Sequence, residues 1–251
     1  MKSFISSLSF LKYPAAVFFW LVVWHIASQI IANTIIIVSP IAAFGRLFEL
    51  AGYLGFWHSI WATLSRIVLG FLIAMTLGVF IAATTARFRF FYVLTLPAFN
   101  ILKAVPVASF IVMALMWINS QNLSVFIAFI TVLPIVYFNC YGGIKSADAK
   151  LLEMARVFRV RPYKVVLDIF LPATLPHIIA AASSGLGLAF KAGIAAELIG
   201  LARGTIGFNL HSARVFLQTE DVFAWTIAIV LLSYCSEKLF GLLIRGLKDV
   251  D

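Results

Sequence analysis

The sequence predicts an all-α polytopic membrane protein with about six transmembrane helices, and three observations carry that prediction. Of 251 residues, 63% are apolar and only 12% charged, against roughly 45–50% and 25% in soluble domains. Mean hydropathy is +1.06. The charges bracket long uncharged stretches, among them the 41 residues between Lys103 and Lys145. A helix rises about 1.5 Å per residue and the hydrocarbon core is about 30 Å thick, so about 20 apolar residues make one crossing. Such a composition excludes an ordinary soluble enzyme, a disordered tail and a disulfide-rich secreted scaffold.

The first crossing is read at 14–32, within the uncharged stretch from Lys12 to Arg46. Its apolar run is too long for a signal peptide, and no convincing small-residue cleavage site follows. Between the first two crossings, Ile35–Val38 is too short to span and is ended by Ser39-Pro40, which predicts an interfacial or re-entrant piece. The second crossing is read at about 62–85, from the 20 uncharged residues that Arg66 and Arg87 bracket. The uncharged stretch after Lys103 must hold two crossings turned at Asn119–Asn122. Because 104–118 is too short to span, the third is expected to begin near 93, placing Lys103 at membrane depth. The fourth is read at about 123–142.

A fifth crossing, about 177–198, follows Leu171-Pro172 and Leu175-Pro176 and contains Lys191 and Glu197. It is rich in small residues, including Gly185 and Gly193, which let helix backbones approach closely at the centre of the molecule or across a twofold interface. The sixth is read at about 222–243, with Glu237 and Lys238 near enough to its end to snorkel. No repeat or low-complexity linker divides the chain, so residues 1–251 are read as one domain.

Positive residues favour short cytoplasmic segments. With the N-terminus inside, thirteen basic residues fall on the cytoplasmic side: Lys2, Lys12, Arg87, Arg89, Lys145, Lys150, Arg156, Arg159, Arg161, Lys164, Lys238, Arg245 and Lys248. Only Arg46, Arg203 and Arg214 fall outside. Both termini are therefore expected in the cytoplasm. The net charge of +9 is explained by this bias, and no clustered basic face suggests nucleic acid. Cys140 and Cys235 lie in apolar stretches and read as packing residues. The four histidines lack ligand spacing, so no metal site is expected.

Residues 145–176 form the longest polar interruption on the inside and read as two short helices. Ser146 is the expected N-cap of the first, with Asp148 in its first turn. Leu151, Met154, Ala155 and Phe158 follow the 3.6 period, and the helix is expected to stop around Arg161. Pro162 is placed as the first residue of a second helix carrying Val165, Val166 and Ile169, ended by Leu171-Pro172. Tied to a transmembrane helix at each end, this pair has the geometry of a lever. The alternative is an amphipathic loop lying on anionic lipid.

The run Glu153-Met154-Ala155-Arg156 followed by Leu171-Pro172 resembles the "EAA" loop of permease subunits from binding-protein-dependent ABC importers. That pattern is E-A-A, a glycine a few residues on, then I-x-L-P. Met154 replaces the middle alanine, and Arg159 stands where the family usually has glycine, a position suited to positive φ that arginine tolerates poorly. The likeness extends over roughly 14–245 and looks nearest to the nitrate/sulfonate/taurine branch. It shares Ser39-Pro40, the stretch containing Ser65, Arg66, Gly70 and Phe71, a Pro-rich entry to the third crossing (Pro97, Pro106), and Ala196-Glu197-Leu198 with Gly200.

The resemblance implies the type I ABC importer permease fold in an inner membrane. It implies pairing with a second permease copy, two cytoplasmic ATP-binding subunits and an extracytoplasmic solute-binding protein. Glu153, Met154, Ala155, Arg156, Arg159, Arg161 and Pro162 would couple to the ATPase. No phosphate-binding G-x-x-x-x-G-K-[ST] occurs in the chain, so ATP and Mg would be held by the partner, leaving this subunit non-catalytic and without a cofactor.

Ionisable residues inside the membrane are functional candidates. Lys103 and Lys191 would line an aqueous path favouring an anionic cargo such as a sulfonate, taurine or nitrate. Their plain alternatives are a backbone carbonyl partner for Lys103 and a polar neighbour for Lys191. Glu197 lies six residues after Lys191, about 600° of helical rotation, so they share no face; Arg66 is its candidate partner. A pyrimidine-type vitamin precursor stays open as cargo. An ion-coupled secondary carrier is a further alternative, though it would need more membrane acids and inverted repeats. The orientation is checked with reporter fusions: one active only outside the cytoplasm is expected to be silent when joined after Arg161 and active when joined after Arg203.

Overall fold

The computed structural model describes residues 2–248, with side chains described from 15 to 242. Met1 and 249–251 lie outside the described residues, as do the side chains of Lys2, Lys12, Arg245 and Lys248 that enter the orientation count. The regular structure of the described residues is helical: α1 (Lys2–Ile31), α2 (Pro40–Ala51), α3 (Leu54–Arg87), α4 (Arg89–Ala104), α5 (Val107–Ala114), α6 (Ser120–Lys145), α7 (Ala149–Val157), α8 (Pro162–Val165), a π-helical turn (Val166–Phe170), α9 (Leu171–Gly200), α10 (Ile206–Val215) and α11 (Thr219–Lys248).

Among the described residues, four helices are long and apolar enough to cross a membrane: Leu54–Arg87, Ser120–Lys145, Pro162–Gly200 and Thr219–Leu242. The pair α4 and α5 makes a fifth, broken span, and Ala15–Ile31 is a shorter apolar helix. In order and place these match the six expected segments. The third departs from expectation in kind, because α4 and α5 are bent by 102° rather than forming one rod. Pro106 explains the break. It lacks an N–H, and it holds Val105 extended at φ −72°, ψ 129°.

The described chain forms two compact units. One holds the stretch up to Trp57 with Asn209–Val230. Within it Ser39 caps α2, its side chain accepting from the Ala42 N–H, and Pro40 starts the helix where its missing donor is harmless. The Trp24 indole donates to the Val38 carbonyl at 2.9 Å and stacks on Phe223. Phe56 stacks on Trp225 at 5.0 Å. Arg46 pairs with Glu49 at 2.8 Å and with Asp221, and the latter bond above all holds its guanidinium well above the usual range.

The second unit holds His58–Phe208 with the stretch from Leu231. Its axis is α6 against α9. Leu123 and Ile127 of α6 meet Ala192 and Ala196 of α9 and Ile111 of α5 in one buried cluster. The small residues make this approach possible. A Cβ on Gly185 would stand 3.0 Å from Val132, one on Gly193 2.7 Å from Ile67, and one on Gly70 would run into the Val125 carbonyl oxygen. At Gly185 and Gly193 α9 therefore packs on α6 and α3 of its own chain, and at Gly70 α3 packs on α6.

Three details of the loop between α6 and α9 differ from expectation. Asp148, not Ser146, caps α7, its carboxylate accepting from the Lys150 N–H at 2.8 Å. Ser146 closes α6 instead, donating to the Gly143 carbonyl. Second, α7 ends at Val157 rather than near Arg161. Arg159 adopts φ 51°, its N–H bonding Arg156 O while the Val160 N–H bonds Ala155 O. That is the Schellman closure usually built on glycine, so the turn survives the substitution. Third, Leu171-Pro172 does not end the second helix. The coil widens into the π turn, where the Leu171 N–H reaches Val166 O, and continues into α9. The wider turn accommodates the Pro172 ring, which would clash with the Asp168 carbonyl in a regular helix.

Gly70→Ala is expected to destabilise the chain by about 1–3 kcal/mol, because the obstruction is a backbone oxygen that cannot rotate away. Gly142→Ala, with nothing within 4 Å of the added carbon, is expected to be neutral or stabilising. Thermal unfolding in detergent compares the two.

Candidate functional site

The loop residues expected to engage a partner are presented outward. Ala155 is 5% exposed and anchors α7, with Leu152 half-buried beside it. Glu153, Arg156, Arg159, Arg161 and Pro162 are exposed. Met154 is 49%, Val157 78% and Phe158 76% exposed. The expected apolar stripe is thus split: Ala155 faces inward, while Leu151, Met154 and Phe158 face solvent. Val157 and Tyr163 join this surface. The reason is geometric, since α7 is only nine residues long and a helix can rest on its bundle along one narrow line. The result is an apolar knob ringed by arginines, a composition typical of interface centres.

The lever's attachment is equally defined. Pro162–Gly200 runs as a single helical body through the π turn, so the turn after α7 is joined without a flexible break to the helix at the heart of the second unit.

The four ionisable groups within or beside the spans fall into two kinds. Glu197 is fully buried. Its Oε2 accepts from the Thr63 hydroxyl at 2.8 Å and from the Gly207 N–H at 3.3 Å. Thr63 Oγ1 in turn accepts the Ile206 N–H at 3.0 Å. The carboxylate therefore sits at the first turn of α10, where free N–H groups and the helix dipole favour negative charge. Leu201, in the left-handed region at φ 54°, turns the chain back between α9 and α10. Thr205 caps α10, its hydroxyl accepting from the Phe208 N–H.

Arg66 lies one turn beyond Thr63 on α3 but does not pair with Glu197. Its Nη2 donates to Gln121 Oε1 at 2.6 Å, and Gln121 Nε2 reaches the Arg203 carbonyl. The expected Arg66–Glu197 ion pair is replaced by two separate links, Glu197 to Thr63 and Arg66 to Gln121. Glu197 Oε1 and Arg66 Nη1 are both buried without a hydrogen-bond partner. Gln121, Thr63, Thr205 and Gly207 were not singled out from sequence. Thr205 carried a readable signal, as an N-cap residue immediately after Gly204.

Lys103 and Lys191 are of the other kind. Both side chains are exposed, and neither is in an ion pair among the described residues. Lys103 ends α4 beside the Pro106 break, its Nζ 5.8 Å from the Phe138 ring centre. It sits at the edge of a 270 Å³ groove that includes Phe110, Thr131 and Leu188. The alternative, a backbone carbonyl partner, is not made among the described residues. Lys191 projects from α9 between buried Phe190 and Ala192. The structure does not bring the four groups together into one cluster.

Comparison with known proteins accords with this arrangement. Residues 74–249 match the model of the family described as "Binding-protein-dependent transport system inner membrane component". The permease SsuC of Bacillus subtilis, named for aliphatic sulfonates transport, is 32% identical over 184 residues, which cover 72% of this chain and 66% of that protein. The taurine transport system permease protein TauC of Escherichia coli is 24% identical over 85% of this chain and 80% of its own length. The nitrate import permease protein NrtB of Synechococcus elongatus is 27% identical over 81% and 76%. Among solved structures, the MetNI methionine ABC transporter in an inward-facing conformation matches with a TM-score of 0.51 at 16% identity, covering 73% of this chain and 92% of that one; it shares the fold. With an exposed lever rooted in a transmembrane helix and a family match across most of its length, the chain belongs to the binding-protein-dependent transport system inner membrane components, the permease subunits of ABC importers.

Proposed function

We propose that this chain forms the translocation path of an ATP-driven importer for a small anion such as a sulfonate, taurine or nitrate. Two copies would pair as one transmembrane domain each, with both termini cytoplasmic, flanked by two ATP-binding subunits that hold the ATP and Mg, and served by an extracytoplasmic binding protein. The observation that carries this reading is the exposed apolar knob of α7, with Phe158 at its tip. Rooted through Pro162–Gly200 in the bundle, it is a surface that has no use in an isolated chain and suits a nucleotide-driven partner. Glu153, Met154, Arg156, Arg159 and Arg161 would complete the contact, with Ala155 and Pro162 fixing its geometry.

The cargo class is supported by the names of the relatives, which transport sulfonates, taurine and nitrate. It is supported too by two exposed lysines that no acid neutralises. A cation at membrane depth that faces away from its own chain calls for water, a second chain or an anion. Glu197, by contrast, is occupied in holding α10 and is assigned to the architecture of the path's wall.

Phe158→Ala is expected to leave the thermal stability of the permease within about 0.5 kcal/mol, since the ring is exposed. It is expected to weaken ATPase association by about 2 kcal/mol, the scale of an aromatic hot spot. Co-purification and uptake read both, and Glu153→Lys is expected to abolish uptake. Unchanged uptake in both variants overturns the lever. For cargo, Lys103→Ala with Lys191→Ala is expected to raise the half-saturating concentration of an anionic solute about tenfold while ATPase association is unaffected; an unchanged value removes the anion path.

A further inference from the structure

A second cavity lies away from the lysines considered above, at the end of the bundle where the lever joins. It encloses about 460 Å³, within the usual range for ligand sites, and its lining is almost wholly apolar. The lining comes from Ala83 on α3, Leu152 of α7, and Val166 and Phe170 of the π turn. Two cations stand at its edge: Arg87, in the last turn of α3, and Lys145, in the last turn of α6. Their only charged or aromatic contacts among the described residues are rings, Phe88 at 5.6 Å and Tyr141 at 5.8 Å. Neither is in an ion pair.

An apolar slot with two unneutralised cations at one end matches one kind of molecule, an amphiphile with an anionic head. Both cations terminate membrane-crossing helices, so the charged end of the slot sits where a hydrocarbon core gives way to headgroups. Phe80, exposed on the same face of α3 as Ala83 and Arg87, extends the apolar surface toward mid-bilayer. Basic pockets between helices on the cytoplasmic side select anionic headgroups. The geometry points to a binding site for an anionic phospholipid, its phosphate on Arg87 and Lys145 and an acyl chain in the slot between α3 and the lever. Because Leu152 and the π turn form part of the wall, occupancy sets how closely the lever rests on the bundle, and the lipid becomes a component of the coupling joint. This rests on the proposed cytoplasmic placement of the loop.

The test uses the complete importer, purified with its ATPase and reconstituted in nanodiscs of phosphatidylcholine alone or mixed equally with phosphatidylglycerol. Native mass spectrometry reads retained lipid and nucleotide hydrolysis reads coupling. Wild type is expected to retain phosphatidylglycerol in preference to phosphatidylcholine. Arg87→Gln with Lys145→Gln is expected to reduce that preference roughly thirtyfold, each cation contributing about fivefold. Ala83→Trp, which fills the slot and leaves both charges, is expected to abolish retention as well. In wild type, hydrolysis is expected to respond to phosphatidylglycerol, and in both variants to lose that response. Equal retention of the two lipids by wild type overturns the proposal, as does undiminished phosphatidylglycerol retention in either variant. Lipid retention is read whether or not cargo is taken up, and the reporter fusions read orientation separately, so failure of the importer reading is distinguishable from failure of this one.

Discussion

The close approach of α9 to α3 and α6 is the constraint on which the second unit depends. Helices in a membrane gain little from excluding one another from lipid, so their association rests on packing and on polar links. Gly70, Gly185 and Gly193 let backbones and neighbouring side chains come to distances at which any larger residue would collide. The buried cluster of Leu123, Ile127, Ala192 and Ala196 follows from that approach. So does the fixed position of everything at either end of α9.

At one end α9 carries the lever. The π turn at Val166–Phe170 lets a helix that contains Pro172 and Pro176 continue without a break. A flexible joint there would dissipate motion, whereas a continuous helical body transmits it. At the other end α9 terminates in Glu197 and the left-handed Leu201, and the buried carboxylate holds the first turn of α10 together with Thr63. The same helix thus joins the exposed apolar surface of α7 to a polar anchor at its other end.

The polar residues of the spans divide by what satisfies them. Glu197 and Arg66 are committed to structural links, and the loss of either would leave buried groups without partners. Among the described residues Lys103 and Lys191 have no acidic partner, and both are exposed, leaving them available to water, a second chain or an anion. The sequence already sets the two lysines apart as path candidates and pairs Glu197 with Arg66; the structure instead gives Glu197 and Arg66 separate partners.

The crossings were legible because hydropathy and charge act along the chain and need no knowledge of what lies opposite. Pro162 as the start of α8 was legible for the same reason, being a local ring-geometry effect, whereas the cap at Asn119 lay within a stretch read only as a turn and the helix from Pro40 was not foreseen. The Pro106 break was read as a proline-rich entry and not as a 102° bend, because the angle depends on what α5 packs against. Arg159 looked unfit for its turn, yet the two Schellman hydrogen bonds hold it there; that balance is set by the loop as a whole. Which face of α7 is buried, which acid pairs with which base, and which lysines stay unpaired required the tertiary structure. Each depends on groups brought together from dozens of residues apart, such as Thr63 and Glu197. By itself the sequence determined the membrane spans, the two-helix loop and the family, since these rest on composition, periodicity and local motif. The fold decided which of its charges are engaged in holding the helices and which are left free to act.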